Sequence, residues 1–174
     1  VMAELATFLP ERQKPTGPVE TFSSAAGATE TVKIDTDDAA MIVIRYENGA
    51  RGVMIASQIE VGEENDLRLR VYGTKGALVW HQEHPNSLTV KSNDAPMRIY
   101  TRNGPGLHDD AIAAARIPPG HPEAFLEAFA NVYSGVAASI RGEAGDHPTV
   151  EDGARGVRFI ETTVASAHSD AKWT

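Results

Sequence analysis

Apolar and polar positions along the chain divide it into a strand-forming front and a helix-forming back. The cleanest alternation runs over 66–72, where Leu67, Leu69 and Val71 interleave with Arg68, Arg70 and Tyr72. Residues 3–9 form a short apolar strand candidate. Two β-rich runs, 39–47 and 50–58, flank Asn48-Gly49, the preferred pair for a two-residue type I′ hairpin turn. That turn predicts Tyr46 opposite Arg51, Ile44 opposite Val53 and Ile42 opposite Ile55. After the Gly73-Thr74-Lys75-Gly76 turn, 77–81 is a further strand, and 88–91 and 97–101 are a last, less regular pair. Residues 10–33, rich in Pro, Gly, Ser and Thr, show no period and read as a connection. Residues 102–120 form a long loop with a short helix at 109–115; loops of this length are often functional.

The back half carries helical spacing. Over 122–141, Leu126, Phe129, Ala130, Tyr133, Val136, Ala137 and Ile140 share one face, with Pro122 at the first helical position and Gly142 as the stop. Over 150–168, Val157, Ile160, Val164 and Ala167 form a stripe predicted to be buried, with Thr149 as cap and Glu151 and Asp152 in the first turn. Gly135, Gly153 and Gly156 inside these helices predict close approach of a neighbour. The expected fold is α+β: an open, mostly antiparallel sheet with two C-terminal helices packed on one face, as a single domain over 1–174. The hairpin is apolar on both faces, whereas antiparallel sheets usually keep one face wet. Two helices cover only part of such a sheet, so the second face is expected to meet another subunit or domain. The alternative is a central hairpin covered by the 102–120 loop.

Charge and composition remove whole classes of function. The chain has 174 residues, 16 basic against 24 acidic, and a net charge of −8. With so few cations there is no basic stripe to meet a phosphate backbone, so nucleic acid is not an expected partner. The absence of cysteine excludes disulfides, iron–sulfur clusters, cysteine zinc sites and a thiol nucleophile. No apolar run reaches the ~18 residues of a membrane helix. The start, Val1-Met2-Ala3-Glu4, lacks a signal-peptide pattern and an initiating methionine. The expectation is a cytoplasmic chain that begins inside a longer protein.

Little of the sequence carries recognisable chemistry. No GxGxxG follows a strand, and no GxxxxGK[ST] or GxSxG occurs, so neither a phosphate cradle nor a hydrolase triad is predicted. His81-Gln82-Glu83-His84 lies at a strand end and reads as surface polars rather than a metal pair; His108-Asp109-Asp110 reads as a solvated loop. His147 and His168 read as cap or surface residues. His121 differs. It sits in Pro118-Pro119-Gly120-His121-Pro122-Glu123, a turn stiffened on both sides at the mouth of a helix. Such a turn holds an imidazole rigidly, as a substrate-orienting donor requires. Its plainer reading is a histidine at a helix cap beside solvent.

Several segments occur in a telling order: Ala56-Ser57-Gln58, Gly62-Glu63-Glu64-Asn65, the run Leu69–Trp80 containing Tyr72-Gly73-Thr74-Lys75-Gly76-Ala77-Leu78, Gly120-His121-Pro122-Glu123-Ala124-Phe125, and Pro148-Thr149-Val150-Glu151-Asp152-Gly153. Together they resemble the C-terminal domain of the Gfo/Idh/MocA oxidoreductases, related to glucose–fructose oxidoreductase and inositol dehydrogenase. The resemblance implies a dihydrodipicolinate-reductase-like C-terminal fold. One sheet face would help roof a substrate site, and the sheet would make the oligomer contact. It implies NAD or NADP in the full-length parent, bound by an N-terminal Rossmann domain that this chain lacks, and none bound to the chain itself. Hydride transfer would involve a sugar or polyol hydroxyl. Gln13-Lys14-Pro15 imitates the family's Glu-Lys-Pro motif but lies in the wrong setting. On this reading no residue here is catalytic or holds a metal. The candidate substrate contacts are His121 first, then Gln58, Glu63 and Asn65. The partners are the substrate, the missing Rossmann domain and a second copy through the sheet. The alternatives are a non-catalytic dimerising scaffold or binding module, and a divergent member serving another pathway.

Overall fold

The computed structural model describes residues 1–18, 27–171 and 173. Among the described residues nine strands precede three helices: β1 (Met2–Ala6), β2 (Glu11–Pro15), β3 (Thr29–Lys33), β4 (Ala39–Arg45), β5 (Arg51–Ser57), β6 (Arg68–Tyr72), β7 (Gly76–His81), β8 (Ser87–Ser92), β9 (Arg98–Thr101), α1 (Asp109–Ala113), α2 (Phe125–Ile140) and α3 (Val150–Ala167). Every strand pair is antiparallel, in sheets ordered β1-β4-β5, β2-β3 and β6-β7-β8-β9, and the fold class is α+β. The chain forms two compact units, one of 1–61 with 150–174 and one of 62–149.

In the first unit the 10–33 connection contains two strands that the sequence did not announce. β2 and β3 pair from Glu11↔Lys33 to Pro15↔Thr29. All of β2 is exposed, so no buried face imposes an alternation to read. Gln13 and Lys14, the apparent motif, sit in this ribbon: Gln13 Nε2 donates to Thr31 Oγ1 at 2.8 Å and Lys14 lies 3.9 Å from Glu30.

The β4–β5 hairpin forms where expected, but its register is shifted by one residue. Val43 faces Val53, Ile42 faces Met54 and Met41 faces Ile55. The cause is a three-residue loop in place of the two-residue turn. Tyr46 N–H donates to Ala50 O at 3.0 Å, Gly49 N–H donates to Tyr46 O at 3.0 Å, and Gly49 takes φ +90°. The faces are therefore regrouped. Ile42 shares its side with Ala3, Leu5, Ala40 and Met54, while Met41 and Val43 share theirs with Val53 and Ile55. Ile42, 3% exposed, is the centre of the apolar core with Ala39 and Ala40, whereas Val53 is 74% exposed.

α3 packs beside β1, the outer strand, on the side that carries Thr163 and Ser166 rather than Val157, Ile160 and Val164. Thr163 and Ser166 are buried, and Ser166 Oγ accepts the Ala3 N–H at 3.1 Å, capping an edge amide that no strand pairs. Val157, Ile160 and Val164 are exposed, contrary to the expected burial. Gly153 and Gly156 have no described atom near where a Cβ would stand, so close approach does not account for them.

A buried acceptor, Asp38, ties the strand ends of this unit. Its Oδ2 accepts the Leu9 N–H at 2.7 Å and its Oδ1 pairs with Arg12; its backbone accepts Gln58 N–H at 2.9 Å and donates to Ala6 O at 2.8 Å. The Leu9 amide, with Arg12 beside it, holds the Asp38 carboxyl below the usual carboxylate range against the opposing effect of burial.

In the second unit α2 begins at Phe125, three residues later than the proline signal predicts. Glu123 N–H is taken by Asn86 Oδ1 at 3.0 Å and Ala124 N–H by Glu127 Oε2 at 2.8 Å, which leaves Pro122 in the preceding loop. The Ala124 amide draws the Glu127 carboxyl down. The other end matches expectation. Gly142 N–H bonds Ser139 O and Glu143 N–H bonds Ala138 O, both at 3.0 Å, a Schellman stop with Gly142 at φ +79°. Gly135 does mark a close approach: a Cβ there would stand 2.0 Å from Asp146 O. The crossing segment is pinned by His147, whose Nε2 lies 2.9 Å from Ser139 Oγ. Most of the predicted apolar face of α2 is exposed, including Leu126, Phe129, Tyr133 and Ile140.

Candidate functional site: the His121 turn

The second unit presents His121 on a turn built by its own sequence. His121 N–H reaches back to Pro118 O at 3.4 Å, Pro119 supplies a fixed φ and Gly120 takes φ +85°, the pattern of a type II turn. The imidazole is exposed.

What immobilises this turn is Arg102, one residue beyond β9. All five guanidinium donors are used. Nε donates to Asn86 Oδ1 at 3.0 Å, one terminal nitrogen to Ile117 O at 2.7 Å and to Glu123 Oε2, and the other to Pro118 O at 2.9 Å and to His121 O. The Arg102 and Glu123 side chains are 14% and 5% exposed. Glu123 spends its second oxygen on Arg116 N–H at 2.8 Å, closing the 116–123 loop on itself. Asn103 adds a bond from Nδ2 to Ile117 O at 2.7 Å, and Asn131 from α2 bonds Ala114 O at 2.9 Å. The sequence places Glu123 at the mouth of the helix, but nothing in it points to Arg102. The two residues are 21 positions apart, and no local pattern links them.

The other expected contacts fall elsewhere. Glu63 Oε2 lies 3.6 Å from Arg68, in a cluster where Asp66 Oδ1 accepts from Arg68 Nε at 2.7 Å and lies 2.6 Å from His81 Nε2. Asp66 takes φ +36°, in the left-handed region. Burial pushes its carboxyl up, but the His81 and Arg68 hydrogen bonds outweigh that and hold it below the usual range. So the His81–His84 stretch, whose rings meet edge-on at 5.4 Å, serves a carboxylate clamp through His81. Arg68, Arg70, Tyr72, His81 and Lys91 line an open groove of about 490 Å³ over this part of the sheet. Asn65 is exposed in the preceding bend, and no hydrogen bond or ion pair among the described residues joins Glu63 or Asn65 to His121. Gln58 belongs to the first unit, just past β5, with its backbone fastened to Asp38. His108 caps α1, its Nδ1 taking the Asp110 N–H at 3.4 Å.

The described residues do not fit a dinucleotide. No glycine-rich turn joins a strand to a helix, and all three helices carry acidic side chains in the first turn where a pyrophosphate would need bare amides. Among the described residues, no cluster of three or more His, Asp or Glu gathers as a metal site, and no helix is long and apolar enough to cross a membrane.

With this geometry in place, the comparisons with known proteins are specific. The chain belongs to the Gfo/Idh/MocA oxidoreductase family: residues 8–174 match its C-terminal alpha/beta domain. An uncharacterised oxidoreductase, YfiI of Bacillus subtilis, is 32% identical over 146 residues, 79% of this chain and 37% of that protein. Levoglucosan dehydrogenase of Pseudarthrobacter phenanthrenivorans is 34% identical over 92 residues, 52% of this chain and 23% of that protein. The crystal structure of an inositol dehydrogenase homologue from Azotobacter vinelandii, complexed with NADH and myo-inositol, superposes with a TM-score of 0.72 at 33% identity, over 76% of this chain and 38% of that one. The chain thus spans well under half the length of these relatives.

Proposed function

We propose that this chain is the substrate-binding and oligomerisation half of an NAD(P)-dependent dehydrogenase acting on a sugar or polyol hydroxyl. The observation that carries the reading is the His121 turn. The Pro118 and His121 carbonyls and the His121 N–H are committed to internal bonds while the imidazole is left exposed as a polar group on offer. The family supports the chemistry, since a relative holding NADH and myo-inositol shares the fold. The nicotinamide cofactor, held by the partner Rossmann domain, supplies the hydride chemistry. This chain's part is to bind and orient. His121 donates a hydrogen bond to a substrate hydroxyl, and Gln58, Glu63 and Asn65 are secondary contacts from exposed bends. The apolar side chains left open on β5 (Val53, Ile55) and on α3 (Val157, Ile160, Val164) support burial against the partner domain and a second copy.

The test is His121→Ala in the full-length protein. Losing one substrate hydrogen bond costs about 1–3 kcal/mol, so kcat/KM for polyols and sugars should fall roughly 5- to 150-fold, with KM for the cofactor and the melting temperature unchanged. His121→Asn or His121→Gln, which still donate, should recover part of the loss. Full activity of His121→Ala on every sugar and polyol tested, or simple unfolding, would make His121 a structural residue and defeat the assignment.

A further inference from the structure

We infer that Arg102 is the positioning residue of this site: it sets the His121 imidazole by holding the main chain on both sides of it. The inference rests on the reading of His121 given above. A pair serving stability alone needs one guanidinium against one carboxylate. Here only one of five bonds goes to a carboxylate. Three go to the carbonyls of Ile117, Pro118 and His121, and one to the Asn86 side chain, which also holds Glu123 N–H. The fork therefore spans the loop from before the turn to after it, and one of its bonds lands on the carbonyl of His121. Fixing that carbonyl fixes the peptide plane from which the ring departs. The neighbouring bonds remove the freedom of the residues before and after. The Arg102 and Glu123 side chains are themselves largely shielded from solvent.

A lysine cannot replace this arrangement. It keeps the charge but brings three donors at one point, where five in a plane are needed. Glu123 supports the same setting from the far end. One of its oxygens takes the guanidinium and the other takes Arg116 N–H, so the loop cannot open at 116 without freeing 123.

The experiment is Arg102→Lys in the full-length protein, with myo-inositol and NAD⁺ as probes alongside a panel of sugars. For the best of these substrates, kcat/KM should fall by up to about 100-fold, the scale of a misplaced site group, with KM for NAD⁺ unchanged. In a His121→Ala background the same change should cost no further activity, because the group that Arg102 positions is gone. Hydrogen exchange should rise in the 116–123 amides and stay constant in the β6–β8 ladder. Glu123→Gln, which keeps one acceptor oxygen but turns an amide NH2 toward the other donor, should give a loss in the same direction and serves if Arg102→Lys does not fold. Full activity of Arg102→Lys, an additive loss in the double variant, or unchanged exchange at 116–123 would overturn the inference and leave the His121 reading standing. If His121→Ala alone is fully active, both fall together.

Discussion

The two compact units are held together by opposite means. In the first, the apolar core lies in the β1-β4-β5 sheet, where Ala39, Ala40 and Ile42 are the buried hydrophobic residues, and its polar tie is an acceptor, Asp38. In the second, the buried positions include a charged residue, Glu123, and a glycine, Gly135, and the polar tie is a donor, Arg102. The first arrangement stabilises strands by excluding water. The second sets an irregular loop by bonding its carbonyls one at a time, which a hydrophobic contact cannot do because it has no direction. The exposed imidazole belongs to the unit that has the directional tie.

The sharpest way to break this contrast is to remove apolar volume from the first unit. Ile42→Ala should cost about 2–5 kcal/mol of unfolding free energy by chemical denaturation, as for other buried large-to-small changes. Val53→Ala on the opposite face should stay within about 0.5 kcal/mol. Equal effects would mean that the hairpin has no preferred inner face.

Acid should separate the two ties next. The Asp38 carboxyl is held low by the Leu9 amide and by Arg12, so the unfolded chain takes up its proton more readily than the folded one. The contribution is complete above the ordinary carboxylate value of about 4 and is lost as pH falls through the lower folded value. Four of the five acceptors of Arg102 are uncharged oxygens that acid does not alter. Hydrogen exchange below about pH 4 should therefore show the 6–12 and 38–39 amides loosening before Ile117, Pro118 and His121 lose their restraint, read at the His121 amide, which bonds a carbonyl. Asp38→Asn should flatten the dependence at the strand ends. Simultaneous loosening would sink the distinction.

The smallest expected change in stability tests what the outer hairpin face meets. Val53→Asp should leave the melting temperature of the full-length protein nearly unchanged and reduce its sedimenting mass, if this face contacts a second copy. An unchanged mass would remove β5 from the assembly proposal.

How far the sequence could be read follows from the same contrast. Local features came through. The Pro118–His121 turn, the Gly142 stop and the start of α3 at Val150 each depend on a few adjacent residues whose backbone preferences are strong. The hairpin was visible, but Asn48-Gly49 fits both a two-residue and a three-residue loop, so its register was not. β2 and β3 were hidden because neither has a buried face to impose a period. The helical stripes were visible as patterns, yet α3 is seated by Thr163 and Ser166 instead. His121 was found from its neighbours. Arg102 was not, since a guanidinium serving carbonyls 15 to 19 residues away leaves no trace in spacing.

The three-residue loop at Glu47, Asn48 and Gly49 reaches further than its own turn. Sliding β5 by one residue would carry Val53 and Ile55 to the side of Ile42 and bring Met54 outward in their place. The loop thus selects which of two side-chain sets the strand displays, branched and stiff or unbranched and pliable. The observed loop takes φ +90° at Gly49, and the two-residue type I′ alternative needs positive φ there as well, so a side chain at this position would strain both pairings. One residue of loop length, outside the strand, therefore governs the texture of the surface that β5 offers to whatever touches it.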